Sequence, residues 1–348
     1  MQKFEKGFFI GAATAAHQVE GNNTKSDYWA QEQLPHSSFT EPSGIACDHY
    51  QRYEEDIKLL ADAGLNAYRF SIEWARVEPE EGKFDPEAIE HYRKVIACCK
   101  AHGVEPIVTL LHFTSPKWLI CKGGWETEST VEDFKRYVTY VMEQLGSELR
   151  YVCTINEANM GLQLAAISKR FRLMAERAAQ NAASTGKSAE GTVQVGMNFQ
   201  KMMENMKYAA MENTQAFGTP QPQIFVSERT PEGAELTQMD YEVYPQALEH
   251  VLRKVAEAFK GDLMVTENGI ATAEDTRRVA FIRQALEGVQ HCIADGIPVK
   301  GYFHWSLMDN FEWQKGYAMQ FGLIAVNRET MERTAKPSLA MLGEYCGA

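Results

Sequence analysis

Two hydrophobic rhythms take turns along this chain. Short apolar runs rich in β-branched and aromatic residues stand at 8–16, 66–74, 106–113, 151–155, 192–199, 223–227, 263–267 and 299–307. Between them, apolar positions recur every three or four residues, the spacing of one helix face. Tyr53, Ile57, Leu60 and Ala61 share such a face, as do Ile89, Tyr92, Ile96 and Cys99. Further sets are Phe134, Tyr137, Val138, Val141 and Leu145; Ala247, Leu248, Val251, Leu252, Val255 and Phe259; and Phe281, Ile282, Ala285, Leu286 and Val289. Segments 169–184 and 201–217 complete the helical set, and a last helix follows Pro337. Local signals agree. Asp85-Pro86 reads as N-cap and first helical residue, and Ser129 with Glu132 reads as a capping box. Gly64, Gly103 and Gly296 each end a helix just before a strand.

Strands alternating with helices imply a parallel sheet, and eight such units close as a (β/α)8 barrel. The expected architecture is therefore α/β, a single (β/α)8 domain over residues 1–348. No linker or low-complexity segment divides the chain.

A barrel of this kind carries its chemistry where the strands end. The run YVCTINEAN stops on Asn156 and Glu157, and LMVTENG stops on Glu267 and Asn268. Two carboxylates at two strand ends, each beside an amide, suggest a paired acid–base site. Other strand ends bring Gln18, Glu20, Arg69, Glu73, Trp74, His112 and Trp305, with Asp309, Asn310, Glu312 and Trp313 just beyond. Amides and carboxylates bind hydroxyl groups, and tryptophan faces stack on sugar rings. The set describes a sugar pocket.

Composition narrows the classes. With 35 Lys+Arg against 47 Asp+Glu the net charge is −12, without a basic cluster, which argues against nucleic acid as a partner. The 7 cysteines show neither CxxC spacing nor histidines at zinc spacing, and read as reduced thiols of a reducing, cytoplasmic compartment. The apolar N-terminal run continues directly into His17-Gln18-Val19-Glu20, which suits a first barrel strand better than a signal peptide. No run is long enough to span a membrane. Neither a phosphate-binding glycine loop nor a metal-ligand pattern is present, so neither cofactor nor metal is expected.

Six segments together resemble glycoside hydrolase family 1, the β-glucosidase family: FFIGAATAAHQVEG, YRFSIEWARVEP, TLLHFTSPKWL, TINEAN, VTENGIAT and GYFHWSLMDNFEWQKGY…FGLIAVN. The resemblance covers nearly the whole chain. It implies hydrolysis of terminal non-reducing β-D-glycosides with retention of configuration. Glu157 would be the general acid/base and Glu267 the nucleophile, steadied by Arg69. Gln18, His112, Asn156, Trp305, Glu312 and Trp313 would hold the sugar. Members acting on 6-phosphorylated sugars carry a serine and a Lys/Tyr set where this chain has Glu312-Trp313, so an unphosphorylated glycoside is implied.

Three departures stand out. Only 110 residues separate Glu157 from Glu267, and the shortening falls around strands five and six. The family supplies an Asn-Tyr pair after strand six, whose hydroxyl bonds the nucleophile. Here that region reads PQPQIFVSERTPEG, without tyrosine. Without that bond Glu267 is expected to ionise at higher pH and the enzyme to be slow; the rival outcome is that Glu228 with Arg229, or a tyrosine from 241–244, fills the space. The acid/base motif also reads Asn-Glu-Ala instead of Asn-Glu-Pro. A catalytically impaired sugar-binding barrel of the same fold is the alternative, separated by turnover of an aryl β-glucoside. A metal-dependent barrel hydrolase built on His112 would be sensitive to EDTA. Glucose, galactose and fucose differ in hydroxyl orientations that the same residue types can read, so glycone, aglycone and oligomeric state stay open.

Overall fold

The computed structural model describes residues 2–158 and 233–347. Within them lie six parallel strands: β1 (Phe9–Ala13), β2 (Ala67–Ser71), β3 (Glu105–Leu111), β4 (Tyr151–Ile155), β5 (Leu263–Asn268) and β6 (Val299–Trp305). Helices separate them: α1 (Ala16–Val19), α2 (Asp27–Glu32), α3 (His49–Asp62), α4 (Trp74–Val77), α5 (Pro86–Ala101), α6 (Lys117–Cys121) and α7 (Ser129–Leu145) before β4, then α8 (Ala247–Ala258), α9 (Asp275–Ala294) and α10 (Pro337–Gly343). The sheet runs β4-β3-β2-β1-β6-β5. First and last parallel strands thus pair directly, with Ala13 beside Trp305 in register. The expected strands at 192–199 and 223–227, and the helices at 169–184 and 201–217, lie outside the described residues.

Strands β1, β2, β3 and β6 are buried along nearly all their length, which is why they read as near-continuous apolar runs. Ile10, Tyr68, Phe70, Val108, Leu110, Val265 and Tyr302 face the helix layer and join the larger core. The alternate residues Ala13, Ala67, Ile107 and Phe303 form a second cluster, with Tyr151 and Cys153 against it. Arg69 occupies this same inner series, two residues beyond Ala67.

Most helix signals act as expected. The Asp85 carboxylate accepts from Glu87 N–H at 2.8 Å, with Pro86 at the first turn of α5. Gly64, Gly103 and Gly296 take φ of +90°, +70° and +84°, a region that side chains other than glycine's resist. Their left-handed turns re-aim the chain from helix into strand. The capping box does not form. Helix α7 already includes Ser129, its N-cap position is Glu128, and no side chain caps it. Val251, expected on the inner face of α8, is 43% exposed, whereas Leu252 is buried. The short antiparallel pair β7 (Ile324–Val326) and β8 (Arg333–Ala335) was not anticipated.

Candidate active site

Arg69 organises the mouth. Its guanidinium is buried, and its donors reach four partners. Nε donates to Thr109 Oγ1 at 2.9 Å and Nη2 to Asn156 Oδ1 at 2.7 Å. Nη1 donates to the Thr266 carbonyl at 3.1 Å and to Glu267 Oε1 at 2.5 Å. One cation from β2 thereby ties together β3, the end of β4 and β5. A buried charge stripped of its partner costs about 3–5 kcal/mol, so each end of this cluster depends on the others.

Glu267 is the penultimate residue of β5. The backbone that follows is drawn hard against β6: a Cβ on Gly269 would lie 1.9 Å from the Trp305 carbonyl oxygen. Only glycine permits that approach, which brings the two strand ends together. Burial pushes the Glu267 carboxyl above its usual range, and the Arg69 charge and hydrogen bond oppose the rise.

Glu157 follows β4 in a tight turn, at φ +44°. Positive φ is uncommon for such a residue and costs of order 1–3 kcal/mol. Asn156 N–H still bonds the Leu111 carbonyl at 2.8 Å, so the turn begins from a strand held in register. Burial, and then the negative charge of Glu267, push Glu157 up to about 7, against some lowering by Arg69. Part of the residue faces solvent at the lip, and water screens charges there, so about 7 is the upper end of that rise. Arg69 bonds the Glu267 carboxyl directly at 2.5 Å, which favours holding the negative charge there. The arrangement supplies a carboxylate beside a carboxylic acid.

The remaining candidates line the same mouth. His112 stacks on Trp305, with ring centres 5.5 Å apart, and on Trp313, at 6.3 Å. Burial and the nearby Arg69 charge hold His112 well below its ordinary pKa, hence neutral. Gln18 Nε2 donates to the Phe311 carbonyl at 2.7 Å and to Glu312 Oε2 at 3.2 Å. Glu312 is raised to about 7, first by burial; hydrogen bonds from Gln18 and Trp305 oppose this, and the charges of Glu267 and Glu157 add to it. Gln18 Oε1 and His112 Nδ1 are buried without a hydrogen-bond partner among the described residues. Buried polar atoms are rarely left so. An acceptor and a ring nitrogen thus stand ready for a polyhydroxylated ligand.

Several strand-end residues turn out to be structural. Glu20 accepts from Arg76 at 2.7 Å and Tyr92 at 3.0 Å. Glu73 accepts from Thr114 Oγ1 at 2.7 Å, and the Trp74 indole donates to Glu78. Asn268 accepts from the Tyr302 hydroxyl, and Asp309 pairs with Lys336 at 2.7 Å. Asn310 donates to Ser306. Among the described residues no cluster of three potential metal ligands occurs.

Glu228 and Arg229 lie outside the described residues. Of the two tyrosines in 241–244, Tyr244 bonds His250. Tyr241 is 64% exposed, and its hydroxyl is raised by burial of part of the ring and by the charges of Glu312 and Glu157. It therefore stands at the rim. Among the described residues no tyrosine hydroxyl bonds Glu267.

The Glycosyl hydrolase family 1 model matches residues 1–172 and 191–345. The chain belongs to glycosyl hydrolase family 1. It is 31% identical to a β-glucosidase of an Agrobacterium species, covering 97% of this chain and 94% of that protein. It is 28% identical to a bifunctional β-D-glucosidase/β-D-fucosidase of Bifidobacterium breve, over 96% of each. Among solved structures, an apo β-glucosidase superposes with a TM-score of 0.81 at 38% identity, covering 97% of this chain and 98% of that one. A β-glycosidase from Pyrococcus horikoshii gives 0.78 at 30% identity, over 98% and 94%. The fold of this family 1 member is the (β/α)8 barrel, and the protein is a glycoside hydrolase. The Agrobacterium alignment spans 433 positions against a chain of 348, so this family 1 chain is a shortened one. The family match is interrupted at 173–190, between the two glutamates.

Proposed function

We propose that the enzyme hydrolyses terminal non-reducing β-D-glycosides, β-glucosides foremost, by double displacement at Glu267 and Glu157, with the whole chain acting as one catalytic domain. The observation that carries this reading is the split between the two carboxyls. Glu267 is gripped by Arg69 at 2.5 Å, which favours its charged form; Glu157 is pushed up to about 7 by burial and by the charge of Glu267.

In the first step a Glu267 oxygen bonds the anomeric carbon as the bond to the leaving oxygen breaks. The Glu157 proton passes to that oxygen. In the second step water attacks the anomeric carbon and gives its proton to Glu157, and the Glu267 ester bond breaks. Two inversions amount to retention. Gln18, His112, Asn156 and Glu312 hold the sugar hydroxyls, and Trp305 and Trp313 supply the apolar wall. Arg69 keeps the nucleophile charged and aimed. The relatives named as β-glucosidases, one of them also a β-fucosidase, support the substrate class.

No described helix is long and apolar enough to cross a membrane. All seven cysteines are unpaired, in keeping with a reducing cytoplasmic location, and the acidic chain suits a sugar rather than nucleic acid. A panel of nitrophenyl glycosides tests the reading. Turnover of the β-glucoside, unaffected by EDTA, is expected; binding without turnover on every β-glycoside would favour the impaired barrel.

A further inference from the structure

Asn156 stands between Arg69 and His112, and its two neighbours determine which way its amide faces. A guanidinium only donates. The Asn156 atom 2.7 Å from Arg69 Nη2 is therefore the carbonyl oxygen. The other end is the NH2 group, which also only donates, and it lies 3.2 Å from His112 Nε2. That nitrogen must accept, so it carries no proton. A neutral imidazole then has its proton on Nδ1. Nδ1 is buried, has no partner among the described residues, and lies 3.9 Å from Glu267 Oε1, too far for a hydrogen bond.

We propose that Asn156 is a positioning residue that passes the donor character of Arg69 on to His112, locking the ring as the Nδ1–H tautomer. The pocket then presents one N–H donor beside the nucleophile, for a sugar hydroxyl oxygen to accept. The sugar rests on the functional reading above; the tautomer does not. Two further features fit. Protonating His112 would set two donors face to face at 3.2 Å, which adds to the burial and Arg69 charge that already keep the ring neutral. Stacking on Trp305, at 17° between planes, holds the ring's tilt so that the donor direction is set.

The test is two-bond proton–nitrogen correlation NMR on the full chain labelled with 15N-histidine, near neutral pH. The His112 signal is identified by its loss in His112→Gln. In the unaltered protein His112 Nε2 is expected to be pyridine-like and Nδ1 pyrrole-like. In Asn156→Asp the carboxylate can only accept, so Nε2 must gain a proton and its signal shifts to the pyrrole or imidazolium position. A protonated Nε2 in the unaltered protein overturns the proposal, whether or not the variant folds. So does an unprotonated Nε2 in a folded Asn156→Asp. A chain that shows Nδ1–H but turns over no glycoside keeps this inference and sinks the functional reading. Turnover with the opposite tautomer does the reverse.

Discussion

Replacing Glu157 by glutamine removes the proton that departs with the leaving group while keeping the side chain's shape. Its worth can be estimated from the site. A glutamic acid at its ordinary pKa of 4.5 is only about 0.3% protonated at pH 7; held at about 7, Glu157 is half protonated. Burial and the charge of Glu267 thus multiply the acid form by up to roughly 150-fold. Positioned general acids contribute about 10²–10⁴-fold in rate. Glu157→Gln should therefore lower kcat/KM for a disaccharide by at least about 10²-fold. A dinitrophenyl glycoside, whose leaving group departs as an anion, should lose far less. The assay is kcat/KM against pH on both substrates. In the unaltered enzyme the alkaline limb should fall near pH 7, where Glu157 loses its proton, and Glu157→Gln should abolish it. Equal losses on both substrates, or an alkaline limb that survives in the variant, would refute the assignment. Glu267→Gln offers a second check. With the neighbouring charge gone, the Glu157 carboxyl, followed by infrared titration, should ionise at lower pH.

Following the anomers by proton NMR should show the β-anomer of the sugar released first; early release of the α-anomer would mean inversion and a different role for Glu267. Arg69→Lys keeps the charge but not the four-way grip, so Glu267 should ionise at higher pH and the acid limb of kcat/KM should move upward. Because an ionised nucleophile is needed, the loss should be greatest at low pH; an unmoved acid limb would show that Arg69 does not set the nucleophile's charge.

The alternation of runs and helical faces made the barrel legible, because strands such as β2 and β3 are buried along nearly their whole length and the helices on one face. The glutamates were legible for a related reason: a charged residue straight after an apolar strand has nowhere to go but the mouth. Glu20, Glu73 and Asp309 share that signature yet belong to the frame. Their partners Arg76, Thr114 and Lys336 come from other elements, so no local pattern announces them. Ser129 and Glu132 had the spacing of a cap, but the helix begins one residue too early to use it. β7 and β8 are three residues each, too short for an alternation to register. Tyr241 carried only the weak mark of an aromatic in a polar stretch, and its place at the rim depends on a turn anchored by Gln238 to Ala271 and Gln320.

The pairing of β1 with β6 also dictates when the site can exist. Gln18 and Glu312 are 294 residues apart along the chain, Arg69 and Glu267 198, and Asn156 and Arg69 87. Closing a loop of such length costs about 5 kcal/mol in chain entropy, and nothing offsets that cost until the two ends have packed. Helices such as α5 and α7 are local and can form early. The complete constellation of Gln18, Arg69, Asn156, Glu267 and Glu312 needs both halves of the molecule, since the bonds of Arg69 to Glu267 and of Gln18 to Glu312 join them. In refolding, the helical circular dichroism should therefore recover ahead of activity; if both returned in one fast phase, the ends would be meeting early. Activity in this enzyme thus reports on a closed chain, and no half of it can hold the site alone.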